Sequence, residues 1–435
     1  MSKKNIHPSD IANSLKKKKL QDKDKFYEYI NNLPDNILGS VLIELPEADR
    51  NDAVEKLDTG KLKIAIEELE TDDATDLYQE IEEADKHKAK VVFESLDKED
   101  KAEINLLKKY SEDKAGAFMQ MELFDAKIDE TIKDAVRRLR RKKNTGELVN
   151  IHQVFITDEF HKLIGAISLE ELITFKFSKT FREVLNEHIE FIAPMSIQSN
   201  MDIQEAVKVF EKYNLPVLPV INYEGKLLGR ITSDDVYDII EESATEQIYN
   251  LAGVDDEAEE NEDIKEIIKK RSFWLLINLF TAIMASIVIG IFDETIQSYV
   301  ALAVLMPIVA SMGGNAGTQT LTVVVRQLAL GEIDFENAKV AVKKEVIVAV
   351  FNGFLFALVV GVIALTWFEN YMLGVVIGIS MIINLFAAGF FGAIIPLTLK
   401  KFKIDPAIGS TVLLTTVTDI VGFFSFLALA KVILL

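Results

Sequence analysis

Asp419 is the residue whose chemistry is hardest to explain away. It lies in GSTVLLTTVTDIVGFF, inside an apolar run from about 408 to 434. Counted from Ile408, it sits about 16 Å into a bilayer, close to the midplane. An ionised carboxylate is costly there and marks an ion or proton path. Thr411, Thr415 and Asp419 are spaced i, i+4, i+8, so a helix carries all three oxygen-bearing side chains on one face. A second polar interruption is LAVLMPIVASMGGNAGTQ at 302–319, with Pro307, Gly313, Gly314, Asn315 and Gly317 in an apolar stretch. Loosened backbone at membrane depth is tolerated where it is buried in protein or lines a water-filled cavity. This run therefore reads as part of a permeation path, with a kinked helix and a small-residue packing face as the alternative.

The donor types narrow the ion. The chain has no cysteine, and no histidine follows His188. Zinc or copper would want thiolate or imidazole. Hydroxyl, amide and carboxylate oxygens suit a hard cation such as Mg²⁺ or Ca²⁺, and Mg²⁺ keeps several of its waters. A membrane-embedded zinc protease would need a His-Glu-x-x-His helix, which is absent. The chain reads as a transporter, not an enzyme.

Five apolar runs position these residues: about 273–292, 298–325, 346–367, 373–399 and 408–434. Each is long enough to span the hydrocarbon. Lys269, Lys270 and Arg271, then Lys339, Lys343 and Lys344, then Lys400, Lys401 and Lys403 fall on one side. By the positive-inside rule that side is cytoplasmic and the C-terminus lies outside the cell membrane. From Ser272 onward there are 8 basic and 9 acidic residues, against 40 and 59 before it. So acidic a region repels phosphates and is no nucleic-acid binder, but it attracts divalent cations. The start, MSKKNIHPSD, is polar, so no cleavable signal peptide is expected.

The acidic region divides in two. A 12-residue spacing (Leu33-Pro34, Leu45-Pro46, Leu57-Asp58, Leu69-Glu70, Ile81-Glu82) predicts stacked short helices within 1–125. Over 126–245 one unit occurs twice. IKDAVRRL at 132–139 matches IQEAVKVF at 203–210, and Lys162, Leu163, Gly165 and Ile167 match Lys226, Leu227, Gly229 and Ile231. Each copy predicts helix, strand, turn, strand, helix. The repeated K-L-[IL]-G-x-I-[ST] pattern resembles a CBS-domain pair. That resemblance implies a site for an adenine nucleotide such as ATP at Thr232 and Asp235, or a purely structural pair. An acidic connecting helix is expected over 246–271, including DDEAEENED at 255–263.

The order of helical superhelix, CBS pair, connector and five-helix membrane domain (272–435) resembles the MgtE-type magnesium transporter family. MPIVASMGGNAGTQ at 306–319, DPA at 405–407 and TTVTDIVG at 415–422 carry the resemblance. It implies a homodimer with its pore along the subunit interface. Asp419 would face hydrated Mg²⁺, and Asn315, Thr411 and Thr415 would line the pore. It also implies regulatory Mg²⁺ between acidic faces, with Asp72, Asp76, Asp202, Asp235, Asp238, Glu246 and Asp405 as the matching positions. Val412 stands where the family commonly has proline, and Gln204 and Asn214 are amides where acidic residues are usual. The implied function is a Mg²⁺-selective, channel-like transporter closed by cytosolic Mg²⁺. The alternative is a nucleotide-sensing transporter of Co²⁺ or Ca²⁺.

Overall fold

A computed structural model describes residues 7–148, 150–254, 264–334 and 337–435. The chain forms two compact units, 1–242 and 243–435.

The first unit opens with eight α-helices: α1 (Pro8–Lys19), α2 (Lys23–Asn31), α3 (Leu38–Ile43), α4 (Glu47–Lys56), α5 (Thr59–Glu68), α6 (Thr71–Ala84), α7 (Lys86–Ser95) and α8 (Lys98–Leu107). Acidic caps start several of them. Asp58, Asp85 and Asp97 accept from backbone amides of the first turns of α5, α7 and α8. One apolar core runs through the stack, from Leu15 and Phe26 to Val92 and Ile104. The 12-residue period fails at Ile81-Glu82. Ile81 is buried inside α6, which continues to Ala84, and the next helix starts at the Asp85 cap. A longer amphipathic pattern there outweighs the repeat.

Two three-stranded sheets follow. The first half has β1 (Asp125–Lys127), α9 (Ile132–Thr145), β2 (Gln153–Thr157), β3 (Leu163–Ser168), α10 (Leu169–Leu172) and α11 (Phe181–Glu187). The second has β4 (Ile197–Gln198), α12 (Ile203–Tyr213), β5 (Val217–Ile221), β6 (Leu227–Thr232) and α13 (Ser233–Ala252). In each half the first strand runs parallel to the second, and the second pairs antiparallel with the third. The short leading strands β1 and β4 were not among the expected elements. Backbone bridging at Lys162 and Lys226 joins equivalent points of the halves.

The repeated glycines have a specific packing reason. A Cβ on Gly229 would lie 2.7 Å from the carbonyl oxygen of Gln120, and one on Gly165 would lie 2.8 Å from that of Phe191. A connecting segment lies on the outer strand of each sheet at these points: Gln120 exchanges backbone bonds with Arg230 at 2.7 and 2.9 Å, and Ile192 bridges to Gly165. Residues 114–122 are thereby held on the second half, with Ala115 and Met119 in its core, so the chain changes partner well before 125.

In the second unit, α14 (Ile264–Gly290), the short α15 (Asp293–Ser298), α16 (Ala301–Ala329), α17 (Ala338–Phe368), α18 (Tyr371–Lys401) and α19 (Ser410–Ile433) follow the end of α13. Five of these are long and apolar enough to cross a membrane. The connecting helix expected over 246–271 is not one element. Its first part is the end of α13, which stops at Gly253 with φ +70°; its last part opens α14; the acidic run 255–263 lies outside the described residues. The second span begins at Ala301, after α15, and not at 298. The third begins at Ala338, so Lys339, Lys343 and Lys344 belong to its first turns, where long basic side chains reach the headgroups.

Helix α18 is central, packing against α16, α17 and α19. Gly361 and Gly374 let α17 and α18 touch backbone to backbone. The loosened backbone expected over 302–319 is absent: α16 is continuous through Pro307 and the glycines. Close packing explains Gly313 and Gly317, since Cβ atoms there would meet Asn384 at 2.3 Å and Leu414 at 3.0 Å.

Gly229→Val should lower stability by roughly 1–3 kcal/mol, because the strand-like pairing of Gln120 has no room to move. A lower urea midpoint for the first unit checks this, and an unchanged midpoint would remove the packing account of the repeat.

Candidate functional site

The membrane site is built on two adjacent helices. Val309 and Gly422, Gly314 and Thr415, and Gly317 and Leu414 are neighbours, so α16 and α19 run antiparallel. That register sets Asp419 level with Ser311 and Thr415 level with Asn315. Ser311, Asn315 and Gln319 form an i, i+4, i+8 polar stripe, and all three are exposed within an otherwise apolar span. The Asn315 side-chain amide donates to Ser311 Oγ at 3.3 Å. Asp419 is half-buried and has no hydrogen-bond or ion-pair partner among the described residues. The hydroxyl of Thr415 donates to the carbonyl of Val412 at 3.1 Å, which leaves its oxygen lone pairs free to accept.

One turn before this face, α13 and α19 are tied together. Thr411 Oγ1 donates to the carbonyl of Leu251 at 2.7 Å. The buried Asn250 donates to Asp405 at 3.4 Å, and Asp405 also accepts from the Ala407 amide at 2.8 Å. Glu246 lies one turn before Asn250 on the same face of α13. Glu246 and Asp405 thus belong to one end of the bundle, where Thr411 anchors the start of α19.

The first unit gathers a different set. The N-terminal turn of α6 carries Asp72 and Asp73, and that of α13 carries Asp234 and Asp235. These turns are close enough for Asp235 to raise the pKa of both Asp72 and Asp73. Asp72 is 7 % exposed, and burial followed by Asp235 and Asp73 pushes its carboxyl well up. Burial, then Asp235 and Asp76, takes Asp73 to about 7. Burial raises Asp235 to about 6 against the bonds from Thr232. Asp76 keeps solvent contact at its tip, yet crowding by the surrounding protein and Glu80 raise it to about 6. Asp238 is raised by partial burial and by Glu44 across the interface. Glu70 goes to about 7 through burial, opposed by Arg230 and reinforced by Glu122. Two guanidinium groups relieve the edges: Arg50 pairs with Glu80, and the buried Arg230 reaches Glu70 at 3.4 Å.

The structure therefore joins Asp72, Asp76, Asp235 and Asp238 and leaves Asp202 elsewhere. Asp202 caps α12 through the Gln204 amide at 2.9 Å and bridges to Lys114. Thr232 is 3 % exposed; its amide and hydroxyl both donate to Asp235, at 3.1 and 2.6 Å, and Gln120 donates to the same oxygen at 3.1 Å. Glu70, Asp73, Asp234, Glu122 and Arg230 were missed because only tertiary packing assembles them. Ser311 and Gln319 were legible from their spacing to Asn315.

The acidic interface fits hard cations. Its donors are carboxylate oxygens: Asp72 is buried, Asp73 and Asp235 are half-buried, and Arg50 offsets part of the charge at Asp73 and Asp76. Among the described residues no three such groups converge tightly enough to grip a bare ion.

Comparison with known proteins agrees with this division. A profile described as a divalent cation transporter matches residues 306–429, the MgtE intracellular N domain matches 6–113, and the CBS domain matches 115–177 and 189–242. The magnesium transporter MgtE of Thermus thermophilus is 30 % identical over 337 residues, covering 77 % of this chain and 73 % of that one. The protein of the same name from Bacillus subtilis is 28 % identical over 425 residues, 98 % of this chain and 91 % of that one. A crystal structure of the cytosolic domain of the Mg²⁺ channel MgtE in complex with ATP aligns with TM-score 0.49 and 27 % identity, over 54 % of this chain and 91 % of that one. The matched relatives are named as transporters, and with helical domain, CBS pair and membrane helices all matched in order, the chain belongs to the MgtE magnesium transporter family.

Proposed function

We propose that the protein is a homodimeric, Mg²⁺-selective channel closed by Mg²⁺ on its acidic cytosolic interface. One observation carries the transport half: Asp419 has no partner among the described residues and lies level with an exposed polar stripe on α16. Such a stripe is unstable against lipid and calls for water or a second polar surface. Two-fold pairing brings two such faces together, and two carboxylates match the charge of one divalent ion. Asp419 then attracts the hydrated ion, while Asn315, Ser311 and Thr415 hydrogen-bond its waters. The basic residues at the start of α14, the start of α17 and the end of α18 support a cytoplasmic soluble region, a C-terminus outside, and insertion in the cell membrane.

Regulatory Mg²⁺ would be held by Asp72, Asp73, Asp76, Asp235 and Asp238, with Glu246 and Asp405 as a further pair at the membrane edge. When bound, it supplies the positive charge that these buried carboxylates lack. The chain's own part is to dock α6 against α13. Without cations, like charges push those helices apart. Thr232 and Asp235 belong to this interface, and the ATP complex of a related MgtE cytosolic domain supports an adenine nucleotide at the CBS pair as a second ligand.

Liposome flux tests the pore. Asp419→Asn should bring Mg²⁺ uptake to background with insertion and dimer content intact. Ser311→Ala with Asn315→Ala should lower it about tenfold, roughly the worth of one hydrogen bond to the ion's water. Wild-type uptake by Asp419→Asn would move the path elsewhere, and equal Co²⁺ or Ca²⁺ uptake would favour a general divalent carrier.

The interface has a defined pH signature. Burial raises these carboxyls when α6 and α13 are docked, so the docked form holds protons that the separated form releases. Without Mg²⁺, docking should be favoured below the ordinary carboxylate value of 3.8 and lost as pH rises through about 6 to 7. Energy transfer between dyes on Lys90→Cys and Tyr223→Cys should fall over that window without Mg²⁺ and stay high with it. A pH-independent signal in Mg²⁺-free buffer would show that these groups do not control docking.

A further inference from the structure

Helix α9 runs against the charge of the region that carries it. It reads IKDAVRRLRRKKNT, with seven basic side chains and one acidic, inside a stretch holding 59 acidic and 40 basic residues. Ile132 and Ala135 are buried in the first half's core, with Val136 and Leu139 packed against it. Lys133, Arg137, Arg140 and Arg141 fall at i, i+4, i+7 and i+8, and all four are exposed. Arg138 and Lys142 are committed elsewhere, and Lys143 is exposed near the end of the helix. Arg138 bonds Glu130 and the carbonyl of Asp125 and stacks on Phe124, while Lys142 lies 3.8 Å from Glu147. Arg137 has only the exposed Asp134 at 3.4 Å. Lys133, Arg140 and Arg141 have no carboxylate partner among the described residues.

A second feature adjoins this face. The amide of Lys133 donates to the carbonyl of Phe177 at 2.9 Å, and that of Ile132 to the carbonyl of Lys179 at 3.0 Å. The loop ITFKFSK, residues 173–179, therefore lies against the first turn of α9. In it Ile173 is 71 % exposed and Phe177 42 %, with Lys176 exposed between them. Bulky apolar tips among basic groups, beside a basic helix face, are the composition of a surface that rests on anionic headgroups. A second copy of this face would bring like charges together. Nucleic acid would match the face but meet the acidic surroundings along its length. Only eleven residues separate the end of α13 from the start of α14, so the tether keeps this unit at high effective concentration near a bilayer.

We propose that the exposed face of α9, with the 173–179 loop, docks on anionic phospholipid headgroups of the membrane that holds the chain. This rests on the reading that the five long helices span that membrane.

The absence of cysteine gives a clean test, because Ser178→Cys supplies a single labelling site in the loop. Full-length protein with an environment-sensitive dye there is placed in phosphatidylcholine nanodiscs with and without phosphatidylglycerol. The dye should shift to the blue only with phosphatidylglycerol, and high KCl should reverse the shift. Combining Arg137→Gln, Arg140→Gln and Arg141→Gln should weaken docking by roughly 100-fold and abolish the shift. Soluble glycerophosphate or a short RNA added to phosphatidylcholine discs should leave the spectrum unchanged; a shift with either would assign the face to that ligand and overturn the proposal. Equal spectra in the two lipid mixtures, or a shift retained by the triple variant, would also overturn it. Unchanged Mg²⁺-dependent energy transfer shows the variant to be folded, and failure to enter nanodiscs at all would instead refute the five-helix reading.

Discussion

A carboxylate withdrawn from water with no base beside it must take up a proton or meet a cation. The chain sets up that problem twice. In α19 the group is Asp419, in an apolar helix and with no ion-pair partner among the described residues. In the first unit it is the contact between α6 and α13, where Asp72, Asp73 and Asp76 approach Asp235 and Asp238, and only Arg50 and Arg230 stand at the edges. Oxygen donors of this kind suit a hard, hydrated cation such as Mg²⁺.

The acidic interface is held in place by the segment between the helical domain and the sheets. Glu122 accepts from the Thr71 amide at 3.3 Å and from its hydroxyl at 2.7 Å, capping α6 from outside the helix. Two residues earlier, Gln120 pairs with β6 and donates to Asp235. The acidic first turns of α6 and α13 are thus aimed by one short stretch of chain. Both are helix N-termini, whose partial positive charge offsets part of the acidity. Helix α13 runs unbroken from this contact to Ala252, where Leu251 and Asn250 bond Thr411 and Asp405.

Much of this was legible in the sequence because periodicity reports it directly. The five apolar runs, the twice-occurring strand pattern and the face shared by Thr415 and Asp419 all follow from spacing. The misses have physical causes. Strands β1 and β4 are three and two residues long, too short to show alternation. Gly253 ends α13 because it takes a left-handed backbone, and an acidic helical composition hid that stop. Pro307 and three glycines looked like a break in α16, but proline removes one donor only, and the neighbouring helices fill the space the glycines leave. Glu122, Arg230 and Glu70 lie far apart in the chain, and no local pattern announces their meeting.

Asn384 fixes how α16 and α19 stand against each other. It is fully buried on α18, and its Nδ2 donates to the Val309 carbonyl at 2.8 Å. Its Oδ1 has no partner among the described residues. A Cβ on Gly313 would lie 2.3 Å from this side chain, and one on Gly422 2.7 Å. The amide is thus wedged between α16 and α19, and only glycine on each side admits it. A leucine would fill more space and lose the bond; an alanine would leave a void between three helices. The wedge sets the register in which Ser311 and Asn315 stand beside Asp419 and Thr415. A core this close-packed does not deform smoothly. The bundle therefore resists rearrangement around Asn384.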